Sequence, residues 1–244
     1  MLMKYVKEAI VKWIQDWFKE NGPECKAVIG ISGGKDSSIV ATLCVEALGK
    51  DRVLGVLMPN SQGQDLDSHV LVKHLDIPYV IIPIENAYNN IVHDIRNVGR
   101  LKMTDQAYIN LAPRLRMSVL YAVSQSVNGR VANTCNLSEA YIGWETRWGD
   151  AVGDFAPLQG LTCSEVIVLG RELDLPKELI EKVPSDGLCG STDEEAFGFS
   201  YDEVDRWIRL GVKGDHHTEI MQMHNKNRFK KLDLPHYSPP LVQY

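Results

Sequence analysis

Apolar residues near the start of the chain come in pairs. Tyr5 and Val6, Ala9 and Ile10, Trp13 and Ile14, and Trp17 and Phe18 recur at helical spacing, so they share one stripe of an α-helix. Asn21-Gly22-Pro23 ends it. Such a stripe suits either a core edge or a subunit contact, and core packing is the commoner use.

The period then changes. Ala27 to Ile31 is a short apolar run, followed by a Gly/Ser turn and a helical stretch from Ser37 to Leu48. Arg52 to Met58 reads as a buried strand, Asp65 to Leu75 as a helix, and Tyr79 to Ile82 as a strand closed by Pro83. A helical region begins near Glu85, and a longer helix spans about Arg114 to Val127. A strand covers Arg130 to Thr134. Short strands alternating with helices predict an α/β fold, a Rossmann-like doubly wound parallel sheet with helices on both faces. Ligands in such sheets sit beyond the carboxyl ends of the strands. The loops after Ile31, after Met58 and after Val131-Ala132-Asn133 are therefore the places to look. Later helices are expected at Ser164–Leu173, Tyr201–Leu210 and Asp215–Lys231, a helical C-terminal extension, with an irregular tail from Pro235 to Pro240.

The composition narrows the class. The chain has 244 residues, 44% hydrophobic and 24% charged, with a net charge of −6, so a globular core is expected rather than disorder. We read residues 1–244 as a single domain. The acidic balance disfavours nonspecific nucleic-acid or membrane-surface binding. No apolar run approaches the roughly 18 residues of a membrane span. The charged N-terminal segment does not resemble a signal peptide. Five scattered cysteines without a CxxC pair disfavour a disulfide framework and a structural zinc site. A cytoplasmic protein is expected.

The most informative stretch is Gly30-Ile31-Ser32-Gly33-Gly34-Lys35-Asp36-Ser37-Ser38. A strand runs into Ser-Gly-Gly and a helix begins at once. Glycines allow a tight turn and close approach to an anion. The new helix offers unpaired N–H groups and the positive end of its dipole. The spacing is neither Walker A nor GxGxxG. Taken alone, an ordinary strand–helix turn capped by Ser or Asp explains it equally well.

The SGGKDS sequence resembles the pyrophosphate-binding loop of the adenylate-forming ATP pyrophosphatases. Four further blocks resemble the NAD synthetases within that group. They are Asn110-Leu111-Ala112-Pro113-Arg114-Leu115-Arg116-Met117; Thr134-Cys135-Asn136-Leu137-Ser138-Glu139; the run from Gly143 to Leu158 containing Arg147, Gly149-Asp150 and Asp154; and Pro184-Ser185 through Glu203.

The resemblance implies an ammonia-dependent NAD synthetase, a ligase that amidates deamido-NAD to NAD through an acyl adenylate and releases AMP and pyrophosphate. It implies ATP contacts at Gly30, Ile31, Ser32, Gly33, Gly34, Lys35, Asp36, Ser37, Thr134, Cys163 and Ser185. It places Mg²⁺ on Asp36 and Glu139, hard oxygen ligands of the kind that ion prefers. Substrate contacts fall on Arg114, Arg147, Asp154, Phe229 and Lys230. A homodimer is implied as well. The loop carrying Gly187 and Gly190 is a candidate lid, and the short stretch before the phosphate loop leads us to expect no glutaminase domain, with free ammonia, or ammonia delivered by a separate glutaminase subunit, as the donor.

Three positions depart from the pattern. Arg147 stands where the family has Lys, keeping charge with a different fork geometry. Cys163 stands where a phosphate-binding Lys is common, so Lys35, Arg171 or metal must carry that charge, or ATP binds more weakly. Phe229 stands where His is common.

Ammonia needs no nucleophilic side chain, so no catalytic side chain is expected and none of the cysteines is assigned a catalytic role. Two alternatives stay open. One is an ATP pyrophosphatase acting on RNA or a purine, against which stand the acidic balance, the missing basic tail and the specific blocks. The other is a regulatory nucleotide binder with a disabled site, against which stand Asp36 and Glu139.

Overall fold

The computed structural model describes residues 2–61, 66–173, 175–180 and 192–237. The first stripe forms α1 (Leu2–Asn21), which stops where the Asn-Gly-Pro signal lies. The stripe serves mainly the core: Ile14 and Phe18 are buried, whereas Tyr5 and Trp13 stay exposed. There follow β1 (Lys26–Gly30), α2 (Lys35–Leu48), β2 (Val53–Leu57), α3 (Leu66–His74), β3 (Tyr79–Ile81), α4 (Glu85–Asn97), α5 (Asp105–Ser126) and β4 (Gly129–Val131).

The four strands form one parallel sheet in the order β3-β2-β1-β4. Strand alternation divides the core between its two faces. Ala27 and Ile29 of β1 face α1 and α2, packing with Ile14, Phe18, Ile39 and Leu43. Val28 faces the other way, toward Met117 and Leu120 of α5. Both faces are thus covered, and the doubly wound arrangement is as expected. The chain builds outward from β1 to β3, then crosses back to place β4 on the opposite side of β1. The crevice between the ends of β1 and β4 is the switch point where such sheets take ligands.

Several boundaries differ from the sequence pattern. The helix expected from about Arg114 begins at Asp105 and carries Pro113 within it. Thr104 starts it, accepting the Ala107 N–H at 3.3 Å. Proline removes one helical donor, but Ala112, Met117 and Leu120 bury one face against the sheet, and that burial outweighs the interruption. The strand expected to reach Thr134 ends at Val131, because the chain turns away to pair Asn133 with the Phe155, Asp150 and Val152 carbonyls.

Beyond β4 come α6 (Leu137–Ile142), α7 (Cys163–Arg171), α8 (Lys177–Ile180), α9 (Asp193–Phe197), α10 (Tyr201–Leu210) and α11 (His217–Asn227). The helix expected at Asp215–Lys231 splits into α11 and a 3-10 turn, Arg228–Lys231. A third cluster, including Ile142, Phe199, Tyr201, Val204 and Ile220, holds this extension together. Among the described residues, no helix is long and apolar enough to cross a membrane.

Candidate functional site

Ile31 leaves the sheet hydrogen-bonded to the Val56 carbonyl at 3.0 Å. The chain then turns through Gly33, whose φ of 75° suits glycine. A Cβ there would lie 2.7 Å from that of Asp67, so only glycine lets the loop pass beneath α3. Gly34 caps α2 without a side chain, leaving the cap position open to an incoming anion. The serines knit the loop: the Ser32 and Ser37 hydroxyls lie 3.0 Å apart, Ser32 Oγ accepts the Gly34 N–H at 3.2 Å, and Ser37 and Ser38 donate to the Gly34 carbonyl. Of these, Ser32 is exposed and Ser37 buried. This is a preorganised anion cradle at a helix N-terminus.

Across the crevice, Asn136 caps α6. Its side-chain oxygen accepts the N–H groups of Ser138 and Glu139, and Glu139 Oε2 accepts the Asn136 N–H at 3.0 Å. Asn136 Nδ2 reaches back to Asp36 Oδ1 at 3.3 Å. One buried asparagine therefore gathers the two carboxylates expected to hold the cation. Burial raises the Glu139 carboxyl well above its usual range, with Asp36 adding to the rise and Lys35 and the Asn136 N–H opposing it. Such a pair fits a hard divalent ion, which needs only one or two protein carboxylates when phosphates complete the shell. Among the described residues, no group of three or more His, Cys, Asp or Glu forms a self-sufficient metal cage.

Lys35 is buried, and its Nζ donates to Asp36 Oδ2 at 2.7 Å. Cys163, the first residue of α7, is buried beside this group. Its N–H donates to Ser138 Oγ at 2.9 Å, Ser138 donates to Asp205, and Asp205 accepts the Ser164 N–H. Burial pushes the Cys163 thiol up to about 12, with Lys35 pulling the other way. Thr134 lies half-buried in the segment between β4 and α6. Ser185, Gly187 and Gly190 lie outside the described residues.

The expected substrate residues assemble a second patch. The Arg147 guanidinium sits between the rings of Trp148 and Phe229, 5.0 and 5.4 Å from their centres. Arg114 Nε donates to the Arg147 carbonyl at 3.3 Å, while Arg116 ties to the Met58 carbonyl at the end of β2. Lys230 Nζ donates to the Gly143 and Glu145 carbonyls at 2.7 and 2.9 Å, and Lys231 pairs with the buried Glu145. Two buried atoms here, Arg147 Nε and Glu145 Oε1, have no hydrogen-bond partner. Such orphans are costly unless a ligand meets them.

Asp154 plays a backbone part: Oδ2 accepts the Val131 N–H at 2.7 Å and Oδ1 the Tyr121 hydroxyl at 3.5 Å. Cys135 lies between the two halves of the site, its buried thiol raised by burial and within the field of Asp150, Glu139, Glu145 and Lys231.

The sequence reading overlooked Asn136, Trp148 and the Glu145–Lys231 pair as site components. Asn136 was readable, since Asn followed three residues later by Glu has the reciprocal form of a capping box. Trp148 carried no such signal: its φ of 64° and its stacking on Arg147 depend on the folded turn.

A phosphate cradle, two gathered carboxylates and a cationic aromatic patch at a sheet switch point define an α/β nucleotide-binding protein. Residues 6–234 match the family described as NAD synthase, and the chain belongs to that family. It is 34% identical over 223 residues to the NH3-dependent NAD+ synthetase of Carboxydothermus hydrogenoformans, covering 88% of this chain and 91% of that one. It is 38% identical over 230 residues to the same-named protein of Methanocaldococcus jannaschii, covering 90% and 87%. Among solved structures, the NMN synthetase of Francisella tularensis overlays with a TM-score of 0.87 at 33% identity, covering 98% and 99%. An NH3-dependent NAD synthetase from Campylobacter jejuni overlays with a TM-score of 0.76 at 28% identity, covering all of both chains.

Proposed function

We propose that this chain uses ATP to amidate the pyridine carboxylate of deamido-NAD, with ammonia as nitrogen donor, giving NAD, AMP and pyrophosphate. The observation that carries this is the gathering of Asp36 and Glu139 by Asn136 beside the SGGKDS cradle. Membership in the NAD synthase family supports the substrate.

A carboxylate resists attack by an amine until its oxygen becomes a leaving group. In the first step a carboxylate oxygen bonds to the α-phosphorus and the bond from that phosphorus to the bridging oxygen breaks. Pyrophosphate leaves with the electron pair. The N–H groups opening α2 and the Ser32 hydroxyl would stabilise the charge it carries, and the Ser37 hydroxyl would join them on leaving the Gly34 carbonyl. In the second step the nitrogen of ammonia bonds to the acyl carbon. AMP leaves with its oxygen, and the nitrogen gives up a proton. Asp36 and Glu139 would hold Mg²⁺, which when bound supplies charge neutralisation to the phosphates. Arg147, Phe229, Lys230 and Arg114 would hold the acid nucleotide, with the orphaned Arg147 Nε free to donate to it. Asp154 would act there through the turn it pins to β4, and Thr134, Cys163 and Ser185 would complete the ATP contacts. A cytoplasmic homodimer is part of the proposal; sedimentation showing a monomer at micromolar concentration would remove the dimer from it.

One observation favours a second acid substrate. The NMN synthetase gives the stronger overlay of the two solved structures described, and its product is the mononucleotide half of NAD. The corresponding acid is nicotinic acid mononucleotide. The test is turnover with ATP, Mg²⁺ and ammonium, comparing kcat/KM for the two acids. A preference for deamido-NAD supports the first reading, a preference for the mononucleotide the second, and turnover of neither rejects both.

A further inference from the structure

Lys35 is placed unusually for a charged residue. Its side chain is 3% exposed although it opens a helix at the mouth of the phosphate cradle. Adjacent residues on a helix do not face each other, yet the Lys35 ammonium meets the Asp36 carboxylate. Both side chains are therefore turned into one space. The Asp36 and Glu139 carboxyls both lie close enough to act on the ammonium there. Burying a lone ammonium is costly, and only close opposite charge offsets it. The 2.7 Å contact with Asp36 supplies that opposite charge.

Both Asp36 oxygens are engaged, Oδ2 by Lys35 and Oδ1 by Asn136. Each oxygen keeps a second lone pair, but a divalent ion at Oδ2 would meet the Lys35 ammonium at contact distance, so the two cations compete for that oxygen. Asn136 is fully buried and held by three further hydrogen bonds of its cap. Lys35 is a single ammonium on a flexible four-carbon stem. Lys35 is the donor that can yield.

We propose that Lys35 is the resident counter-ion of the Asp36–Glu139 pair, occupying the place of the divalent cation until nucleotide arrives, and that cation binding requires its release from Asp36. This rests on the reading of Asp36 and Glu139 as the cation ligands. The ammonium offsets carboxylate charge, so the pair attracts a cation more weakly with Lys35 in place than without it. ATP offers the released ammonium new oxygens, so nucleotide and cation should enter together. The neutral Cys163 thiol fits the same picture, because the cation of this corner already comes from the loop.

The test is Mn²⁺ binding to the full chain without nucleotide, read from the paramagnetic resonance of free Mn²⁺. Lys35→Met keeps the length of the stem and removes the charge. It should bind Mn²⁺ at least about tenfold tighter than the unsubstituted chain, since a neighbouring unit charge is repelled by that order at short range. Lys35→Gln is read in the same way and covers a methionine variant that fails to fold. Equal or weaker Mn²⁺ binding in the folded variants would overturn the proposal. Asp36→Asn in the Lys35→Met background should abolish the gain. Tight binding that survives Asp36→Asn would overturn the cation site itself. On the unsubstituted chain, millimolar Mn²⁺ should increase acetylation of Lys35 by a small acylating reagent, followed by mass spectrometry. Unchanged labelling would contradict release.

Discussion

Asn136 Nδ2 donates to Asp36 Oδ1 across 100 residues of sequence, joining the loop after β1 to the cap of α6 after β4. The bond spans the switch point of the sheet. Together with the backbone N–H of Asn136 on Glu139 Oε2, it makes one residue responsible for both a helix terminus and the spacing of two carboxylates.

Asn136→Ala should therefore affect stability and activity unequally. Loss of the cap costs about 0.5–2 kcal/mol, read by urea denaturation. Turnover should fall by roughly 10–100-fold, as for other residues that orient metal ligands. Asn136→Asp keeps a capping oxygen but brings a carboxylate against Asp36. It should recover stability and leave turnover low. Parallel recovery of both would show that Asn136 acts only as a cap.

Gly33→Ala should raise the KM for ATP and lower stability. The residue has positive φ, and an added Cβ would strike Asp67 and the Ser68 backbone. Gly49→Ala is the comparison: its φ is also positive, but nothing lies within 4 Å of the added atom. That variant should lose only about 1–3 kcal/mol of stability to backbone strain, with KM unchanged. Equal KM values for both variants would sever Gly33 from the nucleotide.

The four described cysteines are buried. Burial pushes the Cys163 thiol up to about 12 and raises Cys135 and Cys44 as well. At neutral pH these are protonated thiols and poor nucleophiles. Native protein should therefore label slowly with a thiol reagent at these positions. Cys163→Ala and Cys135→Ala should each keep most of the turnover. Loss of several orders of magnitude in either would assign that thiol a chemical role.

Acid stability should carry a contribution from Glu165. Its carboxylate caps α7 through the Thr162 N–H at 2.8 Å and forks with Arg209 at 2.6 and 2.8 Å. Burial opposes ionisation, but Arg209 and the cap outweigh it and lower the carboxyl below its usual value. A lowered carboxyl stabilises the fold above its unfolded value, about 4.3, and the contribution is lost as pH falls through the folded value. Denaturation of Glu165→Gln should show a shallower loss of stability below about pH 4.3 than the parent. An identical slope would mean that the fork contributes nothing.

The strand–helix alternation and the SGGKDS turn were legible because they depend on local periodicity and on glycine at fixed places. Tyr201–Leu210 was legible to the residue, since Ser200 caps its start and Gly211 its end. The first half of α5 was hidden by Pro113, whose local cost is outweighed by tertiary burial. Asp36 and Glu139 could be named from motif, but not the asparagine that joins them, which required the return of β4 beside β1. The sandwich of Arg147 between Trp148 and Phe229 was hidden for the same reason, because Phe229 arrives from the far end of the chain. The burial of Lys35 ran against its chemistry and could not be read from the loop alone.

In the proposed reaction ATP is cut between its α and β phosphates to activate a pyridine carboxylate. The most direct measurement uses an acid nucleotide labelled with oxygen-18 in that carboxylate, together with ATP, Mg²⁺ and ammonium, and follows the products by mass spectrometry. One label atom should appear in the phosphate of AMP, the amide should retain the other, and pyrophosphate should be unlabelled. Label in orthophosphate with ADP formed, or amide formed with unlabelled AMP, would contradict it.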